Sequence, residues 1–175
     1  MSSTSSLQQG LRQFSKIVDT VNDKIGIAAS FVAVPIVVFI LIEVFMRRFL
    51  NSPTLWGYEA IMISFGVFVI MTPAYGLLKG SLVGVDILSK KLQPRGAHIL
   101  ILVTYVIFFV PLVFFLLPST YDFAMKSWEM KETGWSLWAP PLYPLKMCIP
   151  VGWALLALQG LSQMSKSVVA LLEMK

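Results

Sequence analysis

The fold class predicted by this sequence is an all-α integral membrane protein, with four transmembrane helices and interfacial amphipathic helices. Three observations predict it. The chain of 175 residues is 57% hydrophobic and only 13% charged, and its mean hydropathy is +0.77. A soluble domain carries about 25% charged residues, because its surface must be hydrated. Four apolar runs of roughly the length that a span requires, about 20 residues each, are separated by short polar stretches. Trp and Tyr gather between the runs, as amphipathic rings do at headgroup level. The length allows one compact domain. Four spans with short connections leave no room for a separate soluble catalytic domain.

The elements follow in chain order. Residues 1–6 are Ser-rich. Leu7, Leu11, Phe14, Val18, Val21 and Ile25 then recur at steps of three or four, with Gln13, Lys16, Asp19, Asn22, Asp23 and Lys24 between them. This spacing predicts an amphipathic helix, which either lies in the membrane interface or simply extends the first span. Span 1 covers residues 25–46, with Pro35 as a kink. It ends in Arg47 and Arg48 rather than in a small-residue cleavage site, so it reads as a retained signal anchor.

A short polar connection over residues 47–58 leads to span 2, residues 59–78, with Pro73 near its end. In the following connection Leu82, Val83, Val85, Ile87, Leu88 and Leu92 fit a short interfacial helix that stops before Pro94. Span 3 covers residues 98–117, with Pro118 as its stop. Residues 119–144 form the longest connection. It holds Tyr121, Trp128, Trp135, Trp138 and Tyr143, and is expected on the bilayer surface or against a partner. Span 4, residues 146–164, is the weakest run, with Pro150, Gln159 and Ser162 inside it. The expected organisation is a cytoplasmic amphipathic segment over 1–24, a four-helix membrane domain over 25–165 and a cytoplasmic tail over 166–175.

Lys and Arg set the orientation. With both termini inside, the inner segments carry Arg12, Lys16, Lys24, Lys79, Lys90, Lys91, Arg95, Lys166 and Lys175. The outer ones carry Arg47, Arg48, Lys126, Lys131 and Lys146. Nine against five favours cytoplasmic termini. The net charge of +5 sits mainly at the ends of apolar runs, where it meets lipid headgroups rather than nucleic acid.

Chemistry-bearing residues are few. Glu43 lies inside apolar sequence one turn from the end of span 1, and an intramembrane carboxylate is a functional candidate by default. Arg47 is four residues later, on the same helical face. A structural Glu43–Arg47 pair is favoured over a proton-coupling role, because Glu43 is close to the edge. Glu59 opens span 2, where it compensates the helix dipole or pairs with Arg48; Trp56 is an interface anchor. Asp86 is a partner for Lys79 or Lys90, or a solvated charge. The single histidine, His98, argues against a membrane haem and a zinc site. The single cysteine, Cys148, excludes an intramolecular disulfide and reads as a small packed residue. No catalytic constellation, cofactor or metal site is expected.

The sequence Glu43-Val44-Phe45-Met46-Arg47-Arg48-Phe49-Leu50-Asn51, followed by Trp56-Gly57-Tyr58-Glu59, resembles the small membrane subunit of tripartite ATP-independent periplasmic (TRAP) transporters, the DctQ type. That family has Glu and Arg at the outer end of span 1, Asn four residues after the Arg, then Trp and Glu opening span 2. Lys79-Gly80-Ser81-Leu82-Val83-Gly84-Val85-Asp86 is similar at Gly80, Val85 and Asp86. Pro150-Val151-Gly152 followed by Leu155, Leu156 and Leu158 is also similar. Arg48 stands where an aromatic is usual, Tyr58 where many members have a second acid, and Leu82 where histidine is frequent.

The resemblance implies a scaffold in the bacterial inner membrane. It implies a large membrane subunit that carries the sodium and substrate sites, so that sodium is engaged only there. It implies a periplasmic binding protein that delivers an organic acid anion. The structural or subunit-interface candidates are Glu43, Arg47, Arg48, Asn51, Trp56, Glu59, Lys79 and Asp86. The competing readings are a self-sufficient proton-coupled exporter using Glu43 and the membrane anchor of a redox complex.

Overall fold

The computed structural model describes residues 2–81 and 93–174. Asp86, Lys90, Lys91 and the interfacial helix expected over residues 82–92 lie outside the described residues. The elements are α1 (Ser2–Ser30), α2 (Ala33–Phe49), α3 (Gly57–Leu78), α4 (Pro94–Thr104), a π-helical turn (Tyr105–Phe109), α5 (Val110–Glu129) and α6 (Tyr143–Glu173). Four continuous stretches are long and apolar enough to cross a bilayer: Gln8–Phe49, Gly57–Leu78, Arg95–Glu129 and Tyr143–Glu173. The described residues form no strand, only an isolated bridge between Thr133 and Pro141. The four-span, all-α expectation holds.

Prolines explain the irregularities. Pro35 has no N–H to offer the carbonyl four residues back. The Phe31 carbonyl accepts from the Val34 N–H at 3.1 Å instead, and the helix breaks at Phe31 and Val32. The π turn sits immediately before Pro111, and the Val110 N–H reaches back five residues to the Tyr105 carbonyl. Such one-turn widenings absorb a local defect in the ladder.

Pro118 does not stop span 3, as expected, because α5 continues through it to Glu129. One missing donor costs less than unwinding several turns where no water replaces the lost bonds. The Ser119 hydroxyl donates to Phe115 O, and the Thr120 hydroxyl to Leu116 O and Leu117 O. The connection to α6 is thereby shortened to residues 130–142.

α6 is the central element. It packs against α1, α3, α4 and α5, whereas α2 packs against α3. Close approach of α6 to α3 depends on Gly152. A Cβ there would lie 2.5 Å from the Ile70 carbonyl oxygen, a backbone atom that cannot move aside. Small residues are how membrane helices bring their backbones together. α6 is unbroken through residue 165 to Glu173, and α1 runs unbroken through Ile25.

Candidate functional site: polar clusters at the two ends of the bundle

The helices are apolar along their middles, and their polar groups collect at two ends. At one end, Glu43 on α2 receives three donors. Arg47 Nη2 approaches one carboxylate oxygen at 3.1 Å. The Thr54 hydroxyl and, at 3.4 Å, the Thr54 N–H donate to the other. Thr54 Oγ1 in turn accepts from the Gly57 N–H at 3.0 Å, one of the orphan donors opening α3. The motif glycine has a steric reason, since a Cβ at Gly57 would lie 2.2 Å from Thr54 Oγ1 and 2.6 Å from Glu43 Oε2. Glu43 is therefore a staple between α2 and α3.

Asn51 ends α2 in the left-handed conformation, φ +49°, which Asn tolerates better than other L-residues. The Ser52 N–H then closes on Met46 O at 3.3 Å. Trp56 sets its ring edge-on to Phe39, with centroids 5.9 Å apart. Of the two ion pairs considered at this end, Glu43–Arg47 and Glu59–Arg48, the first forms. Arg48 is exposed and makes no ion pair among the described residues. Glu59 does not pair with it: one of its oxygens lies beside Gly134, and the other is buried without a hydrogen bond. Lys146 on α6 pairs with Glu132 in the 130–142 connection and holds that carboxyl below its ordinary range.

At the opposite end, Lys79 pairs with Asp23 at 2.7 Å and lies over the Tyr75 ring. The Asp23 carboxylate holds the Lys79 ammonium above its ordinary range. Beside this pair is a cluster that the sequence reading missed. Asn22 Nδ2 donates to Gln159 Oε1 at 2.7 Å and to Leu155 O at 3.4 Å. Gln159 Nε2 and the Ser162 hydroxyl both donate to Asp19 Oδ1, at 3.0 and 2.9 Å. Lys166 closes on the other Asp19 oxygen at 2.6 Å. Arg12 pairs with Glu173 further along the same two helices, and Gln163 Nε2 donates to Leu77 O on α3. Asn22, Gln159 and Ser162 are fully or almost fully buried.

The signal was present in the spacing. Asp19 and Asn22 are three apart on α1, and Gln159 and Ser162 are three apart on α6, so each pair shares a face. The inward face of α1 is Ser15, Val18, Asn22, Gly26 and Ala29, whereas Phe14, Ile17 and Val21 point outward. Lys16, Thr20 and Lys24 are exposed beside them, so the apolar stripe does not face the bundle as a unit: Val18 is buried, Phe14 and Val21 are exposed, and small and polar side chains make up most of the seam.

These contacts join one helix to another. Among the described residues no three His, Cys, Asp or Glu side chains are grouped to hold a metal ion. The grooves of about 300 and 550 Å³ between α5 and α6 are lined almost wholly by apolar side chains such as Val113, Leu117, Pro118 and Ala154. A family model described as "Tripartite ATP-independent periplasmic transporters, DctQ component" matches residues 36–169, well over half of the chain. The chain belongs to the DctQ family. No curated protein and no solved structure gives a significant match. As a DctQ-family chain it is a component of a tripartite transporter in a membrane. The matched region begins just after Pro35, so it includes Glu43, Arg47 and the α6 half of the buried cluster, and leaves α1 outside.

Proposed function

We propose that this chain is the fixed small membrane subunit of a sodium-coupled TRAP importer of an organic acid anion in the bacterial inner membrane. Its partners are a large membrane subunit, which carries the sodium and substrate sites, a periplasmic binding protein and the surrounding lipid. Both termini lie in the cytoplasm, which puts the Glu43 end outside and the Lys79 end inside. Residues 1–24 and 166–175 are then the cytoplasmic extensions of α1 and α6. Glu43, Arg47, Arg48, Asn51, Trp56, Glu59, Lys79 and Asp86 serve structure or subunit contact.

One observation carries this reading. Among the described residues, polar side chains staple the helices at both ends, and the grooves between α3, α5 and α6 are lined mainly by apolar side chains, whereas a solute pathway needs convergent polar groups. A bundle pinned in this way suits a stationary part against which another subunit moves. The exporter reading loses its ground, because Glu43 is engaged by Arg47 and Thr54 at the bundle edge.

Reconstitution in proteoliposomes tests the proposal. The chain alone should give no uptake, with or without sodium or proton gradients. The chain with its large subunit and binding protein should give sodium-dependent uptake of an organic anion. Proton-driven cation efflux by the chain alone, abolished by Glu43→Gln, would overturn the scaffold.

A further inference from the structure

The connection between α5 and α6 is a braced hairpin. Lys131 and Ala139 take left-handed backbone angles at its two shoulders, φ +46° and +43°. The Leu142 N–H donates to Glu132 O and the Gly134 N–H to Pro140 O, both at 2.8 Å. The Ser136 hydroxyl oxygen accepts from the Trp138 and Ala139 N–H groups. Lys146 ties the base to α6 through Glu132, and the Trp128 and Tyr143 rings close the neck edge to face, 4.9 Å apart. This well-held backbone leaves large apolar side chains uncovered by the described residues. Trp135 is 99% exposed and Leu137 89%, two residues apart, with Trp138 beside them.

Position tells what covers them. Gly134, at the hairpin base, lies against a carboxylate oxygen of Glu59 in the first turn of α3. From Glu59 the helix runs twenty residues to Lys79, a rise of about 30 Å, which equals the hydrocarbon thickness of a bilayer. The base therefore stands at one edge of the hydrocarbon layer. The tip follows Gly134 by one to four residues, a reach of at most about 14 Å. The headgroup zone takes up the first ~5–8 Å of that reach, and there Trp is favoured for its apolar body and polar N–H. Lys131 is exposed at the hairpin shoulder and supplies a cation for lipid phosphate.

We propose that residues 133–138 form a membrane-interface anchor, with Trp135, Leu137 and Trp138 seated where phospholipid headgroups meet acyl chains. This rests on the four-span reading, so the test carries a control for it.

The full chain, in a Cys148→Ser background, is reconstituted with its large subunit in vesicles of phosphatidylethanolamine and phosphatidylglycerol. Nitroxides are attached singly at Leu137→Cys, at Val69→Cys on the exposed middle of α3, and at Ser52→Cys. Trp138→Cys replaces Leu137→Cys if that variant does not fold. The hairpin probe should collide with oxygen several-fold more often than with a water-soluble nickel chelate, as at Val69, whereas Ser52 shows the reverse. A hairpin probe as accessible to nickel as Ser52, beside a lipid-embedded Val69, overturns the anchor alone. Shielding from both reagents means a protein contact and overturns it too. A nickel-accessible Val69 overturns the four-span reading and the anchor with it.

Discussion

The side-chain amide of Asn22 donates to the side-chain carbonyl of Gln159 across 2.7 Å, joining α1 to α6 where both residues are almost fully buried. Gln159 passes the connection to Asp19, and Asp19 to Ser162 and Lys166. A partly satisfied network is costly, because each orphaned group loses its partner away from water. Gln159→Leu should therefore lower stability by about 1 kcal/mol, the scale of hydrogen bonds between membrane helices. The measurement is the melting midpoint of the purified chain in mild detergent. Asn22→Leu combined with Gln159→Leu should cost less than the sum of the two single changes. Additive losses would show that the two side chains are not coupled.

Gly152 offers a steric test of the α3–α6 seam. Gly152→Val places side-chain atoms against the Ile70 backbone and should destabilise by about 1–3 kcal/mol, the usual range for overpacking. Gly10→Ala is the control. Nothing lies within 4 Å of its added methyl, and a helical Gly→Ala change favours the helix by about 1 kcal/mol. Opposite shifts in melting midpoint are expected.

The two shifted groups outside the spans predict opposite pH limits. Glu132 has a lowered carboxyl pKa in the folded state, mainly through Lys146. Its stabilising contribution is complete above the ordinary value of 4.5 and is lost as pH falls through the lower folded value. Lys79 is raised by Asp23. Its contribution is complete below the ordinary value of 10.5 and is lost as pH rises through the higher folded value. Hydrogen exchange of the 130–142 amides should accelerate at the acid limit, and Glu132→Gln should remove that dependence.

Orientation is testable with single cysteines in a Cys148→Ser background. A probe at Ser52 should react with an impermeant thiol reagent on intact cells, and probes at Ser5 and Lys175 should not. The motivation is the nine-to-five charge bias. Labelling at either terminus would reverse or reject the topology.

Arg48, exposed and without an ion pair among the described residues, predicts a contact outside the chain. Arg48→Ala and Arg47→Ala should each reduce recovery of the large subunit in pull-down more than Lys175→Ala does. Equal recovery from all three would leave the arginines without an assembly role.

Composition and run length made the four spans legible, because the bilayer demands about 20 apolar residues whatever the fold. The Glu43–Arg47 pair was legible from its four-residue spacing. Thr54 and Gly57 were not read as its companions, since their approach to Glu43 depends on how the short turn folds. Pro118 misled, because its cost was weighed as in water. The Asp19–Asn22–Gln159–Ser162 cluster was missed because polar residues on α1 suggested an exposed face. The face of α1 that packs inward carries small and polar side chains, and only the pairing of α1 with α6 reveals which partners they meet.

The end staples have a mechanical consequence. Lys79 and Glu59 are twenty residues apart along α3, a separation of about 30 Å of helix rise. On the first long stretch, Asp23 pairs with Lys79 at one end of that separation and Glu43 lies beside Gly57 at the other. With α1, α3 and α6 tied together at the Lys79 end, and α2, α3 and the α5–α6 hairpin meeting at the other, α1, α3 and α6 cannot slide past one another without breaking these contacts. Hydrophobic mismatch in a thinner or thicker bilayer must then be met by the lipid or by inclination of the whole bundle. As the scaffold proposed above, the bundle would act as a gauge block, setting the depth of whatever is assembled against it.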